Sequence, residues 1–476
     1  MILIFLVSVL TTALYSYVII KDKSIIIKSY FFITLIAFPF QGLFLSIFKF
    51  SHPLYINKDT DVILFCLIYV LLFGSTLYLI FKIFQKLIPN FDIVNRKINL
   101  NSELSNTKYI VLFSVISISM IFFFEFLLIG MGSFFSNSSF LACSNLEMMK
   151  NFRELFKEND FILKFHQPVK IIAELKYMVF FIIGEVYRNY NSNYQIKIIY
   201  YSFFIAILIL AIIKGSKLIF GLFIILYFFS NRKKIYTNMK KSISSFLKTC
   251  FKFIVMAFFT LLGFKLINHF RNLFYRTEAD ISCLVMNMKI VNSLVVQEFS
   301  ATKSFFVIDF IVSRLNYLIP MSKAYSYVTE NGFLDYQIYF NNFIGFIPRL
   351  FWENKPILTN NMHIYAYKFG ITSHLPTDEN YSNLFSVGFR PEGESFIYLG
   401  WQGLAIAFFA GIIFSFIEKL HHKANIICFS FYIYLVYFLA TSDVYFALIP
   451  SIVQATITFL VLLTVLFFTK KINKYL

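Results

Sequence analysis

GFIPRLFWENKP (Gly345–Pro356) and FRPEGESFIYLGWQG (Phe389–Gly403) fall in or at the end of a stretch, about 268–394, where Arg, Lys, Asp, Glu and His are spread among aromatic residues. Outside this stretch the chain moves from one apolar run to the next. Of its 476 residues 58% are hydrophobic and 14% charged, and the mean hydropathy is +0.71. A soluble domain has roughly 45–50% apolar and 25% charged residues. The composition therefore predicts an all-α polytopic membrane protein, because backbone exposed to lipid must satisfy its own hydrogen bonds and only a loop outside the bilayer escapes that demand.

Runs of about 17–25 apolar residues give about eleven expected transmembrane helices: 2–20, 29–48, 61–81, 109–130, 171–187, 197–213, 217–230, 249–267, 395–417, 424–441 and 450–469. Met1–Ile20 lacks a basic leader and a small-residue cleavage site, so it reads as a retained span. The connections on the C-terminal side are basic: KDKSIIIK, 82–108, RNYNSNYQIK, NRKKIYTNMKK, EKLHHK and the tail KKINKYL. On the other side, the two long loops 131–170 and 268–394 are near charge balance. The excess of Lys and Arg predicts a cytoplasmic C-terminus, an external N-terminus and two external loops, 131–170 and 268–394. The expected organisation is then 1–267 with eight spans, the large external loop 268–394 with amphipathic surface elements, and 395–476 with three spans and a cytoplasmic tail.

The formal charge of +18 does not point to nucleic acid, since the cations flank apolar runs as topology determinants. Cys66, Cys143, Cys250, Cys283 and Cys428 show no metal-ligand spacing. Cys143 and Cys283 share the external side and leave a bridge open. No DxD, HxxxH or HExxH pattern occurs, so neither a metal nor another cofactor is expected.

The candidate chemistry is anionic recognition beside carboxylates. Arg314, Arg349, Lys355 and Arg390 supply cations, and Trp352 with its aromatic neighbours offers faces on which sugar rings stack. Pro348 and Pro356 hold Arg349, Trp352 and Lys355 on a non-helical segment. Lys214 and Lys217 flank a tight turn, Gly215-Ser216, and place two further cations on the external side. Each of these cations also fits a structural ion pair or contact with lipid phosphate. Glu394 leads the candidates for a general base, ahead of Glu392, His363 and His374. Its position just before a span equally suits a helix cap. Glu125, Glu174, Lys176 and Glu185 could line a polar groove; equally, Glu174 and Lys176 could snorkel or pair within the bundle.

The turn Gly215-Ser216-Lys217, the segment Pro348-Arg349 to Trp352 and Lys355-Pro356, and the closing Gly393-Glu394, Gly400 and Gly403 together resemble the bacterial oligosaccharide repeat-unit polymerases of O-antigen and capsule, the Wzy type. The resemblance covers about 200–415. This chain departs from it in having Lys217 where relatives carry Arg. The resemblance implies a glycosyltransferase C-like fold in the bacterial inner membrane, acting at its outer face on undecaprenyl-diphosphate-linked oligosaccharide. Such an enzyme needs no metal, and a chain-length regulator and a flippase would be partners in its pathway. An O-antigen ligase-like glycosyltransferase, a polysaccharide flippase or transporter, and a non-enzymatic export partner are the alternatives. A transporter would be expected to gather ionisable residues inside its bundle.

Overall fold

The computed structural model describes residues 1–47, 60–88, 107–134, 169, 172–189, 194–213, 317–334, 367–370, 389–421, 426–441 and 448–473. Among them every regular element is helical. Six helical stretches are, by length and composition, apolar enough to cross a membrane: Ile2–Lys21, Ile25–Ile47, Thr60–Leu87, Lys108–Leu127, Arg390–Lys419, which is interrupted by a turn at Gly400–Gly403, and Ile452–Asn473. Ile2, Leu3, Leu79, Phe123, Phe409 and Phe467 are each more than half exposed. Such surfaces suit lipid rather than water. The chain is thus an all-α polytopic membrane protein by the length and apolarity of its helices. Expected spans 217–230 and 249–267 lie outside the described residues.

Two units divide the chain, one formed by 1–96, 304–424 and 432–455, the other by 97–303, 425–431 and 456–476. In the first, α1 (Ile2–Lys21) buries Ile4, Ser8, Thr11, Tyr15 and Val18 at intervals of three and four residues, the stripe of a helix packed on one side. It runs antiparallel to α2 (Ile25–Ala37) and α3 (Pro39–Ile47). These two are one span bent where Pro39 removes a backbone donor. The carbonyls loosened by the bend find other donors, Gln41 Nε2 for Ile36 at 3.3 Å and the Tyr317 N–H for Ala37 at 3.3 Å. Next comes α4 (Thr60–Leu87), whose midsection receives the Tyr15 hydroxyl on the Val70 carbonyl at 2.7 Å.

The later elements of this unit are α8 (Leu318–Asn331), α9 (Arg390–Leu399), a 3₁₀ turn (Gly400–Gly403) and α10 (Leu404–His421). Helix α10 runs parallel to α4: Trp401, just before it, packs on Phe65 and Tyr69, and Ser415 donates to the Phe81 carbonyl at 2.8 Å. Helix α9 runs the opposite way. Phe396 sits against Phe65 and Tyr69, whereas Glu392 reaches Tyr30, whose ring meets Phe414 of α10. α9 and α10 therefore form a helical hairpin, with Arg390 about 15 Å inward of its turn at a rise of 1.5 Å per residue.

The second unit contains α5 (Thr107–Phe134), α6 (Leu175–Asn189) and α7 (Tyr194–Ile213). Parts of α11 (Ile426–Thr441) and α12 (Leu448–Asn473) belong to each unit. Every residue from Ala173 to Val186 is buried, which makes α6 the centre of this unit. Phe180 stacks on Tyr200 at 4.9 Å, Phe181 meets Phe429, and the Tyr109 hydroxyl donates to the Leu466 carbonyl at 3.1 Å. Lys176 pairs with Glu125 at 2.5 Å. For Lys176 and Glu125, pairing within the bundle is the role observed.

Candidate functional site

Helix α9 begins at Arg390, five residues before the expected span at 395, so the polar letters RPEGE are helix rather than loop. Pro391 occupies the first turn, where its missing N–H costs nothing. Arg390 precedes that proline and has φ 54°, the left-handed region that a residue with a Cβ rarely occupies. Phe389 stands at the N-cap with no side-chain cap. Glu394 is the fifth residue of the helix, so it does not cap it.

The hairpin turn behind this segment depends on two glycines. Gly400 has φ 56°, and a Cβ there would lie 2.6 Å from Phe333 Cζ. A Cβ at Gly403 would meet the Ser395 carbonyl oxygen at 2.6 Å, which is backbone and cannot move aside. Tyr69 ties the turn together, its hydroxyl 3.0 Å from Ser395 Oγ and donating to the Gly400 carbonyl at 3.3 Å. Alongside, α8 runs parallel to α9. Tyr325 stacks on Phe396, and the Leu334 N–H donates to the Ile397 carbonyl at 3.2 Å. Burial lowers the Lys323 ammonium on α8, whose Nζ donates to the Gly370 carbonyl.

Arg390 and Glu392 are 1% and 0% exposed. Their Nε and Oε2 are 3.6 Å apart. Thr34 of α2 joins them through one hydroxyl, which accepts from Arg390 Nη2 at 3.0 Å and donates to Glu392 Oε1 at 3.1 Å. Tyr30, one turn earlier on the same face, donates its hydroxyl to Glu392 Oε1 and presents its ring 5.7 Å from the Arg390 guanidinium carbon. Among the described residues Glu392 Oε2 accepts no hydrogen bond. Glu394, also buried at 6% exposure, follows Glu392 by two positions and therefore lies on a different side of α9.

Of the residues singled out from sequence, the structure thus brings Arg390 and Glu392 together and places Glu394 on the same short helix. Lys214, Lys217, Arg314, Arg349, Trp352, Lys355, His363 and His374 lie outside the described residues. Sequence reading missed Tyr30, Thr34, Tyr69 and Ser395. The available signal was Tyr30 and Thr34 at i, i+4 inside an apolar run, a polar stripe on one helix face. Among the described residues no group of three or more His, Cys, Asp or Glu is arranged to hold a metal ion.

The arrangement is a cation and a carboxylate held by hydroxyls within a cluster of apolar spans, at the start of a helix whose first N–H groups add partial positive charge. Such a site can take an anion in exchange for Glu392. No protein-family model matches the chain, and no curated protein or solved structure matches it.

Proposed function

We propose that this chain is a membrane glycosyltransferase that joins lipid-diphosphate-linked oligosaccharide units, at the outer face of a bacterial inner membrane. The observation supporting this reading is the Arg390–Glu392 pair. Its guanidinium lies three residues before Gly393-Glu394, part of the family resemblance, and is held among spans, where the diphosphate of a lipid-linked donor can approach without leaving the bilayer. The acceptor hydroxyl attacks the anomeric carbon of the donor sugar, the bond from that carbon to the diphosphate oxygen breaks, and the diphosphate leaves with the electron pair. Arg390 stabilises that developing charge. Glu394, one turn after Arg390 on α9, takes the proton of the hydroxyl, while Glu392 holds Arg390 in place with Tyr30 and Thr34. With both members of the pair buried, substrate entry requires α9 to part from α2, and the arrangement described is the closed form.

The decisive experiment supplies the purified full-length protein, in detergent, with purified lipid-diphosphate-linked repeat units. The wild type should build a ladder of longer chains. Glu394→Gln should slow extension by about 10²–10⁴, the usual loss for a general base. Near wild-type extension by Glu394→Gln and by Glu394→Ser would move the base to Glu392, His363 or His374.

A second reading, a flippase or transporter of the same anionic lipid-linked sugars, is favoured by one observation. Asp22, Glu125, Lys176, Arg390, Glu392 and Glu418 are all buried within the helical units, as a transporter would be expected to arrange its ionisable residues. Movement of labelled lipid-linked sugar across proteoliposomes, with no ladder in detergent, would select this reading.

A further inference from the structure

We propose that a groove between α1, α2 and α4, remote from the hairpin turn, holds a membrane phospholipid with an anionic headgroup. One acyl chain lies along the groove and the phosphate rests against Lys82 and Lys86. The groove has a volume of about 380 Å³. Its walls are apolar, with Val18 of α1, Phe31 of α2, and Leu79 and Ile83 of α4. It extends along α4 from Gly74 to Lys86. Twelve residues of helix span about 18 Å, enough for much of one acyl chain within a single leaflet. None of the Arg390 cluster lines it.

Charge decides the occupant. Lys82 and Lys86 are one turn apart on the same face of α4 and close the groove at one end. Lys82 is already paired with buried Asp22 at 2.7 Å, and its Nζ also donates to Gln85 at 3.3 Å, which fixes the ammonium at the groove mouth. An ammonium has three donors, and among the described residues Asp22 and Gln85 take two of them, which leaves one for a phosphate oxygen. Lys86 is exposed, as are Lys21 and Lys23 at the end of α1. The nearby acids Asp22 and Glu418 are both buried, the latter taken up by the Ser24 and Tyr432 hydroxyls at 2.7 and 2.6 Å. Among the described residues the cations thus outnumber the accessible acids at this end of α1 and α4, and a polybasic edge of this kind attracts anionic lipid. A zwitterionic lipid would satisfy the apolar walls without answering the lysines.

The test is native mass spectrometry of the full-length protein, offered phosphatidylglycerol or phosphatidylcholine with identical chains. The wild type should retain phosphatidylglycerol preferentially. Lys86→Gln should reduce that retention about fivefold, the scale of one surface cation acting on an anionic headgroup, with phosphatidylcholine unchanged and Lys86→Arg restoring the preference. Because Lys86 is exposed, its replacement does not threaten the fold. Ser75→Leu, which fills the groove from its α4 side, should lower retention of both lipids. Equal retention of the two lipids by the wild type, undiminished phosphatidylglycerol on Lys86→Gln, or displacement of phosphatidylglycerol by an equal concentration of polyprenyl phosphate would each overturn the proposal, the last in favour of a substrate tail.

Discussion

Lys176 with Glu125 and Arg390 with Glu392 are two buried ion pairs, one in each unit, and they are built differently. The lysine pair is direct, 2.5 Å from nitrogen to oxygen, and joins α5 to the buried stretch of α6, with the Lys176 ammonium 5.0 Å from the Tyr177 ring. The arginine pair is looser at 3.6 Å and is surrounded by hydroxyls, with a left-handed backbone at Arg390 itself. A strained, non-Gly φ persists only where the surroundings enforce it, and such strain gathers at functional sites. A tight pair closes a contact. A slack pair, in which Glu392 Oε2 faces Arg390 Nε at 3.6 Å without a hydrogen bond, is held less firmly and can more readily exchange one partner for a third group.

The comparison breaks first at Arg390. Arg390→Ala should lower chain extension by about 10²–10³, the usual loss when a charge-stabilising donor is removed, and Arg390→Lys should recover part of it. Protein level needs to be followed alongside, because the change strands Glu392 in the interior. The double variant Arg390→Ala/Glu392→Ala removes that stranded charge and should be better folded yet equally inactive. Wild-type extension by Arg390→Ala would place the anion site elsewhere in the chain.

Lys176 should behave in the opposite way. Lys176→Met alone takes the ammonium away from buried Glu125 and should cost about 3–5 kcal/mol of stability. Lys176→Met/Glu125→Leu, with both charges gone, should return to the wild-type melting temperature or exceed it, and extension by the surviving protein should be unchanged. Thermal unfolding in detergent reads the first effect and the ladder assay the second. Loss of extension by a fully folded double variant would give this pair a functional role and erase the contrast.

The sequence made some of this legible and hid the rest for physical reasons. The spans expected at 2–20, 61–81 and 109–130 fall on α1, α4 and α5, because about twenty consecutive apolar residues have few alternatives to a helix. The bend at Pro39 follows from one missing donor. The letters RPEGE read as loop because an unpaired charge in a span costs about 2.5–3.5 kcal/mol. That cost is offset here by partners from the far end of the chain: Glu392 meets Tyr30 across 362 positions and Thr34 across 358. No local pattern around residue 390 announces those partners. The acids and the arginine could be picked out as chemistry, but their depth and the hydroxyls that hold them depend on a hairpin set by Gly400 and Gly403, and only tertiary structure supplies it.

The smallest effect is also the one that separates positioning from packing. Thr34 touches neither expected substrate nor leaving group, yet its single hydroxyl is acceptor to Arg390 and donor to Glu392. Thr34→Val keeps the volume and removes both bonds at once, which in a buried setting costs about 1–3 kcal/mol. If the pair is a site, the guanidinium loses its fixed direction, and chain extension should fall about tenfold, equivalent to about 1.4 kcal/mol of transition-state stabilisation. Thr34→Ser, which restores the hydroxyl and sacrifices only a methyl group, should recover most of that activity despite being the less well packed of the two. A merely structural threonine would show the reverse order, with Val tolerated in the ladder assay and Ser the weaker variant. Equal activity in wild type, Thr34→Val and Thr34→Ser would mean that the hydroxyl bridge plays no part in orienting Arg390.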